Sequence, residues 1–547
     1  MSRHKRKDII MMSIILIVSL IYLIFIVGRF AQYNGIDSDY ANLVLEANDI
    51  INGNFFLRGW NLTGVTFFPT DLVFFIIGAC VAGVSVKSYV IAIALMYWML
   101  LLAGFILIYS KTKQSYIGVL WYVGMTIMPN FYHMSVVRAH TGGIVWGLFA
   151  LAILEKKTNK KVLTIIKYIV VMMLLAMAAM GDAVSIIIII MPMLLIYIME
   201  IGQDFFHYQK INVTIVWNVI TIGISLLLSI VLDYLYFAIG QANKNSFLEQ
   251  NTYTDFEQLG QYFSVYLKSL FTMFHADFSQ QAIMSPMTIV YMVGILEIFL
   301  GVGFAVYEIV QLLRNRSHDR ISAILGLGFL MISVAYIFLG MMPEENTARY
   351  FATAPVLLAV IIVRVGGSLY ESHRGNVRQT YTVQMISVVV TIVVIILEMG
   401  NVPDYQIHYD SVEQGLVETL KEHNLKSGYG EFWTSSVTTV YSEEDICVRA
   451  ISIEEDGATA FDWFNKEDWY QNEANFVILN ANGTGIYFSI ADAINILGIP
   501  KEIITYDKYV IYVYDYDIST QLNMDISSTT NRSWDKLMEV MDAQGTY

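Results

Sequence analysis

"FFPTDLVFFIIGACVAGVSV" (67–86) is long and apolar enough to cross a bilayer, yet it contains Pro69, Asp71, Gly78 and Gly83. If it crosses, every later loop changes side. The loops decide the matter. "KTK" (111–113), "EKKTNKK" (155–161), "RNRSHDR" (314–320) and "ESHRGNVR" (371–378) are the basic connections, and short basic loops stay in the cytoplasm. All four fall on that side only if 67–86 turns back, as a re-entrant or interfacial segment packed against protein. Full crossing would make twelve spans, put the acidic tail inside and invert half the loops.

Eleven spans remain, near 9–30, 88–109, 115–132, 140–154, 162–180, 183–200, 213–238, 287–312, 321–342, 351–370 and 381–398, most of them apolar runs long enough to cross the hydrocarbon. Composition agrees: 56% of residues are hydrophobic and 15% charged, with a mean hydropathy of +0.55. That is the profile of a polytopic membrane protein. The start "MSRHKRKDII" is a basic flank without a clean cleavage site after it, so the first span is read as retained, its amino terminus in the cytoplasm.

The net charge of −14 is unevenly placed, because 25 acidic and 8 basic residues lie from Asn401 onward. Neither part offers a basic face, so nucleic acid is excluded as a partner. Cys80 lies in an apolar segment and Cys447 in the acidic tail, which argues against a disulfide or a zinc site. The tail reads as a small α/β domain. "SVEQGLVETLKEHNL" (411–425) is an amphipathic helix, while "NFVILN" (475–480) and "YVIYVYDYD" (509–517) are strand-like. The expected domains are a membrane module over 1–400, an extracytoplasmic α/β domain over 401–522 and a flexible end over 523–547.

With eleven spans, one face of the membrane collects nearly every unusual polar residue, and it faces away from the cytoplasm. It holds Asp37 and Asp39 in "GIDSDYAN" (35–42), Asp71, "HMSVVRAHTGG" (133–143) with Arg138 and His140, Asp182, and "MMPEENTARYFATAP" (341–355). From Tyr40 the apolar spacing predicts an amphipathic helix lying along the membrane surface. Asp39 or Ser38 then makes its N-cap, and Asp37 suits the positive end of the helix dipole. That reading needs no function. The Asp-x-Asp spacing holds a metal and a diphosphate in soluble nucleotide-sugar enzymes, but such donors are absent outside the membrane.

The other polar positions have equally plain readings. Arg138 and His140 fit an interface anchor, Asp182 a cap for the span that follows, and Glu344 with Glu345 a solvated pair. An ionisable group between apolar runs is costly, so Asp182 and Asp71 are also candidates for acceptor or metal binding. The aromatic stretches "GYGEFWTSS" (428–436) and "FDWFNKEDWY" (461–470) read as the core of the tail domain rather than a sugar platform.

An acidic pair soon after the first span, an amphipathic helix, "INGNFFLRGWNLTGVTFFPTDLVFFIIG" (51–78), a late "ARYFATAP" (348–355) and a closing extracytoplasmic domain resemble the GT-C class of membrane glycosyltransferases. That class includes the protein O-mannosyltransferases and lipid A aminoarabinose transferases. The likeness covers most of the chain as architecture and only short stretches as motif. It implies a polyprenyl-phosphate sugar donor, an envelope acceptor, and a catalytic carboxylate in the first outer loop, here Asp39 or Asp37 in place of the usual Asp-Glu pair. Its Arg-Tyr and proline fall on Arg349, Tyr350 and Pro355. The outer-face arginines Arg349, Arg138 and Arg58 are the cations available to a phosphate, and a divalent metal is left open. A transporter or flippase of a lipid-linked precursor would instead place charges near the midplane with repeat symmetry, and no repeat is visible. A non-catalytic envelope protein would tolerate loss of both aspartates.

Overall fold

The structure is a computed structural model that describes residues 3–112, 118, 122–124, 126, 133, 136–209, 211–240, 242–244, 253–279, 282–339, 345–372, 386, 388–397, 412–454, 457–480 and 490–523. The expected flexible end over 523–547 lies, after Asn523, outside the described residues.

Helix α1 (Arg3–Asn34) is followed at once by α2 (Ser38–Ile51), then by a loop with the short strand β1 (Trp60–Leu62) and by α3 (Asp71–Ala82). At 12 residues α3 is about 18 Å long, well short of the ~30 Å hydrocarbon, so this segment does not cross as one helix. It folds back against α4 (Val86–Thr112). At Gly78 a Cβ would sit 2.3 Å from the carbonyl of Ser88, so only glycine permits that approach.

The helical part continues through α5 (Gly142–Leu154), α6 (Lys161–Gly181), a π-turn over Ile186–Ile190 leading into α7 (Met191–Tyr208), and α8 (Val213–Gly240). Strand β2 (Asn243–Lys244), α9 (Leu259–Met273), α10 (Thr288–Leu313), α11 (Arg320–Phe338), a 3₁₀ turn over Glu345–Phe351 and α12 (Ala354–Ser372) follow, then α13 (Val388–Leu397). Eight of the eleven expected spans are helices long and apolar enough to cross, from Ile10–Gln32 to Thr347–Leu369. The expected span at 140–154 is the shorter α5, and that at 381–398 is described only in its second half, as α13. Most of 115–132 lies outside the described residues.

The tail is an α/β unit: α14 (Val412–Glu422), β3 (Ser427–Gly430), α15 (Phe432–Tyr441), β4 (Cys447–Glu454), β5 (Gly457–Ala460), β6 (Asn465–Lys466), β7 (Phe476–Asn480), α16 (Ile490–Leu497), β8 (Glu502–Tyr506), β9 (Tyr509–Val513) and β10 (Leu522–Asn523). Seven strands form one sheet in the order β10-β5-β4-β3-β7-β9-β8. Its centre is parallel, with β3 between β4 and β7. Along β7, Phe476 and Ile478 pack with Leu416 and Leu420 of α14, while Val477 and Leu479 pack on the other face. That is the two-residue alternation of a strand buried on both sides. Both cysteines are free.

The tail is not a separate bead. Phe432, Val437, Val440, Phe461 and Phe464 belong to the same apolar core as α1, α2 and α4. A small sheet, β2-β1-β6, joins the first loop, the segment after α8 and the tail. Asn61 donates to Asn465 at 2.6 Å and accepts from Asn243 at 2.8 Å.

One expectation fails here. Helix α2 does not lie along a surface with one face in water: Ser38, Asn42 and Glu46 are as buried as Tyr40, Leu43 and Ala47. The cause is the tail, whose α15 covers the side that the apolar spacing leaves polar.

Candidate functional site

The start of α2 places three consecutive side chains against three separate parts of the chain. Asp37 has extended backbone (φ −97°, ψ 170°) and is the N-cap, its carboxylate accepting from the Tyr40 amide at 3.4 Å. Asp39 belongs to the first turn. The expected order is thus reversed: Asp37 rather than Asp39 or Ser38 caps the helix, because its extended backbone leaves its oxygen facing the third helical amide.

Asp37 also meets Arg138, Nη2 to Oδ2 at 3.1 Å. The Arg138 guanidinium lies 4.4 Å from the Tyr40 ring centroid and 5.4 Å from that of Phe30. Burial works against its charge, but Asp37 and the neighbouring Tyr89 and Tyr40 outweigh that and raise its pKa. Asp39 meets Arg349 of the 3₁₀ turn, Nη1 to Oδ2 at 3.3 Å. Arg349 keeps a spare donor, since its buried Nε has no partner. Ser38, between the two aspartates, donates to the carbonyl of Phe432 in the tail.

The two pairs remain open to a ligand. Asp37 and Asp39 are 34% and 24% exposed. Burial of the surroundings, then the charge of Asp37, raises the Asp39 pKa above its ordinary 3.8, while Arg349 and Arg138 pull it back. A carboxylate raised in this way is a better proton acceptor than a solvated one.

A second cluster adjoins the first. His140 takes a left-handed backbone (φ +57°), and its Nδ1 lies 3.1 Å from Asp182 Oδ2. Its ring is 4.8 Å from that of Tyr350, the neighbour of Arg349. Asp182 also accepts from the Val184 amide at 2.9 Å, so it does cap the turn that follows. Asp71 accepts from the Thr141 amide at 3.2 Å, at the mouth of α5. Burial, then the charge of Asp182, pushes its pKa up to about 6 against the pull of His140 and of the backbone amides of Thr141 and Gly142. At Gly142 a Cβ would lie 2.7 Å from the Asp71 nitrogen, so glycine is what lets α5 begin directly on that carboxylate.

Among the described residues no three His, Cys, Asp or Glu side chains are grouped to hold a metal ion. Asp71, His140 and Asp182 therefore do not fit a divalent-metal site, and no step is derived through one.

Arg58 stands apart. It is exposed, its backbone tied to Asn54 at 2.8 Å, and among the described residues it forms no ion pair. Its loop is organised by Asp49, which accepts from Trp60 Nε1 at 2.7 Å and from Asn54 at 2.6 Å and pairs with Lys466 at 3.2 Å.

The sequence reading missed the polar stripe Ser38, Asn42, Glu46. Its four-residue spacing is visible, but without the tail it reads as a solvated face. Asn42 accepts from Ser436 at 2.7 Å. Glu46 is fully buried with neither oxygen partnered, and burial, then Asp49, holds its pKa well above the usual range.

The helical bundle and the closing α/β tail are the architecture that the GT-C resemblance implies. Among solved structures the chain is similar to ArnT from Cupriavidus metallidurans bound to undecaprenyl phosphate, at 10% identity and a TM-score of 0.48, covering 91% of this chain and 97% of that one. It is also similar to the Archaeoglobus fulgidus oligosaccharyltransferase in complex with zinc and sulfate, at 10% identity and a TM-score of 0.43, covering 88% and 69%. ArnT in its apo state gives 9% identity and a TM-score of 0.39, over 93% and 98%. No protein-family model matches the chain, and no curated protein matches it in sequence.

Proposed function

We propose that this chain is a membrane glycosyltransferase that moves a sugar from a polyprenyl-phosphate donor to an envelope acceptor, with Asp39 as general base. The observation that supports it is the pairing of two partly exposed carboxylates with two arginines at the start of one helix. In the reaction the acceptor hydroxyl oxygen bonds to the anomeric carbon, and its proton goes to Asp39. The bond from that carbon to the phosphate oxygen breaks, and its electron pair leaves with the lipid phosphate. Because the leaving group is already a phosphate, no second carboxylic acid is needed to protonate it. It needs cations where negative charge develops. Arg349, with its spare Nε, and Arg138 take that role. A phosphate that draws Arg349 toward itself also loosens its hold on Asp39, which leaves the carboxylate more basic as the donor arrives.

Sugar transfer by purified Asp39→Asn and Asp37→Asn proteins tests this. Loss of a general base costs on the order of 10²–10⁴ in rate, while asparagine caps a helix about as well as aspartate. Asp39→Asn is expected to lose transfer with its melting temperature kept, and Asp37→Asn to lose less. Parent rates in both would leave the pair as a helix cap.

The same proposal places the tail and the site outside and the loop at 314–320 inside. In a background of Cys80→Ser and Cys447→Ser, an impermeant thiol reagent added to intact cells should label Glu473→Cys and spare Ser317→Cys. The reverse pattern would put the site in the cytoplasm and remove the lipid-linked donor from consideration.

A further inference from the structure

We infer that the tail domain is a positioning element for the two aspartates: α15 sets the register of α2, so that Asp37 and Asp39 meet their arginines together. The inference rests on the reading of Asp39 as base, and it assigns positioning roles to Ser38, Asn42 and Ser436.

The geometry is specific. Ser38 donates to the Phe432 carbonyl and Ser436 donates to Asn42. Both contacts join residues 394 apart in the chain, so the two helices run side by side in the same direction, in step, one turn between contacts. All of these groups are buried. A buried polar group that loses its partner is destabilising, and a slip of α2 along α15 would leave several without one at once. Apolar packing alone would tolerate such a slip far better. The result is a helix held against sliding and rotation at the turn that bears both carboxylates.

A second grip lies at the other end of α2, where Lys466 pairs with Asp49. It supplies a control. A contact that merely glues the tail to the bundle is lost at either end with the same consequence, whereas a register acts only where the aspartates are.

The test uses the full-length protein in lipid nanodiscs, as parent, Ser38→Ala, Ser436→Ala and Lys466→Met. A carbodiimide couples to protonated carboxyls, so labelling of Asp39 across a pH series, mapped by mass spectrometry, reports its titration without any assay of activity. Loosened register lengthens the contact with Arg349, which holds the Asp39 carboxyl down. The midpoint should therefore rise in both serine variants and stay at the parent value in Lys466→Met. Sugar transfer should fall about tenfold or more in kcat, since displacements near 1 Å can cost up to 10²-fold, with the KM for the donor unchanged. Midpoints that stay or fall in both serine variants overturn the positioning role, even if melting temperatures drop. A rise shared equally by Lys466→Met overturns it too, because general loosening then suffices. If the parent transfers no sugar, the proposed function fails, and the labelling midpoints still decide the register.

Discussion

Two sets of arginine–carboxylate pairs lie along one stretch of chain, at Arg349 just before α12 and at Arg364 just past its midpoint, about 20 Å apart as helix. At the second, Arg364 grips Asp319 through two parallel bonds, Nε and Nη2 each at 2.7 Å. Lys111 adds a contact at 3.3 Å and Ser322 another at 2.6 Å. Beside it Arg320 forks Glu155 at 3.0 and 3.0 Å and reaches Glu200 at 2.8 Å, which His318 also meets at 3.0 Å. Before α12, Arg349 makes one contact with Asp39 at 3.3 Å. The two aspartates respond in opposite senses. Burial alone would raise Asp319, but its bonds with Arg364 win and lower its pKa to about 2. For Asp39, burial and Asp37 win. A network centred on the buried Asp319, Arg364 and Glu200 side chains ties together the ends of α4, α5 and α11 with α7 and α12. Arg349, by contrast, makes one ion pair and leaves its Nε without a partner.

Removing the arginine from each set should therefore do different damage. Arg364→Met leaves Asp319 buried without its main partner, which typically costs about 3–5 kcal/mol. It should lower the melting temperature sharply, with transfer per folded molecule little changed. Arg349→Met removes one ion pair between partly exposed side chains, so stability should fall much less than in Arg364→Met, while transfer falls on the order of 10²-fold. Thermal unfolding in detergent alongside transfer rates measures both. Equal destabilisation by the two variants would break the distinction between clasp and site.

The clasp and the site were unequally legible. The basic loops that set the expected topology contain Lys111, Arg320 and their neighbours, so charge placement located that end without revealing a single pairing. The reversal at 67–86 was expected from the same loops; the helix there has 12 residues, against 13 for α5 at 140–154. At the other end, Asp37, Asp39, Arg138 and Arg349 could be gathered on one face because they all lie in loops between spans. Which aspartate meets which arginine could not be read, since it depends on the turn at His140 and on the seven-residue 3₁₀ turn Glu345–Phe351. The burial of α2 was missed for a different reason. Ser38 and Asn42 of its polar stripe meet α15, almost 400 residues later, and helical periodicity contains no trace of so distant a partner.

The comparison sharpens at Arg349 itself. Lysine keeps the charge but offers a point donor in place of the planar fork. Arg349→Lys should raise the KM for a polyprenyl-phosphate donor about tenfold, a loss of one good phosphate bond, and leave the acceptor KM alone. Parent-like donor use would mean that Arg349 only anchors the head of its span at the interface.

The smallest effect expected is at Glu46, where a buried carboxyl has neither the clasp's partners nor the site's access to water. Its pKa in the folded protein lies well above the usual 4.5, from burial first and Asp49 second. Between those two values the folded chain holds a proton that the unfolded chain has released, so stability falls as pH rises through that window. Glu46→Gln cannot titrate and is close in size. At pH 5 it should match the parent within about 1 kcal/mol, because a neutral acid and an amide suffer similar desolvation. At higher pH the parent should lose stability relative to the variant, and the two melting curves should diverge steadily as pH rises. If the curves stay parallel from pH 5 to pH 9, Glu46 is not held protonated by its burial. It would then have a partner when the chain sits in lipid, and the stripe of α2 would be satisfied along its whole length.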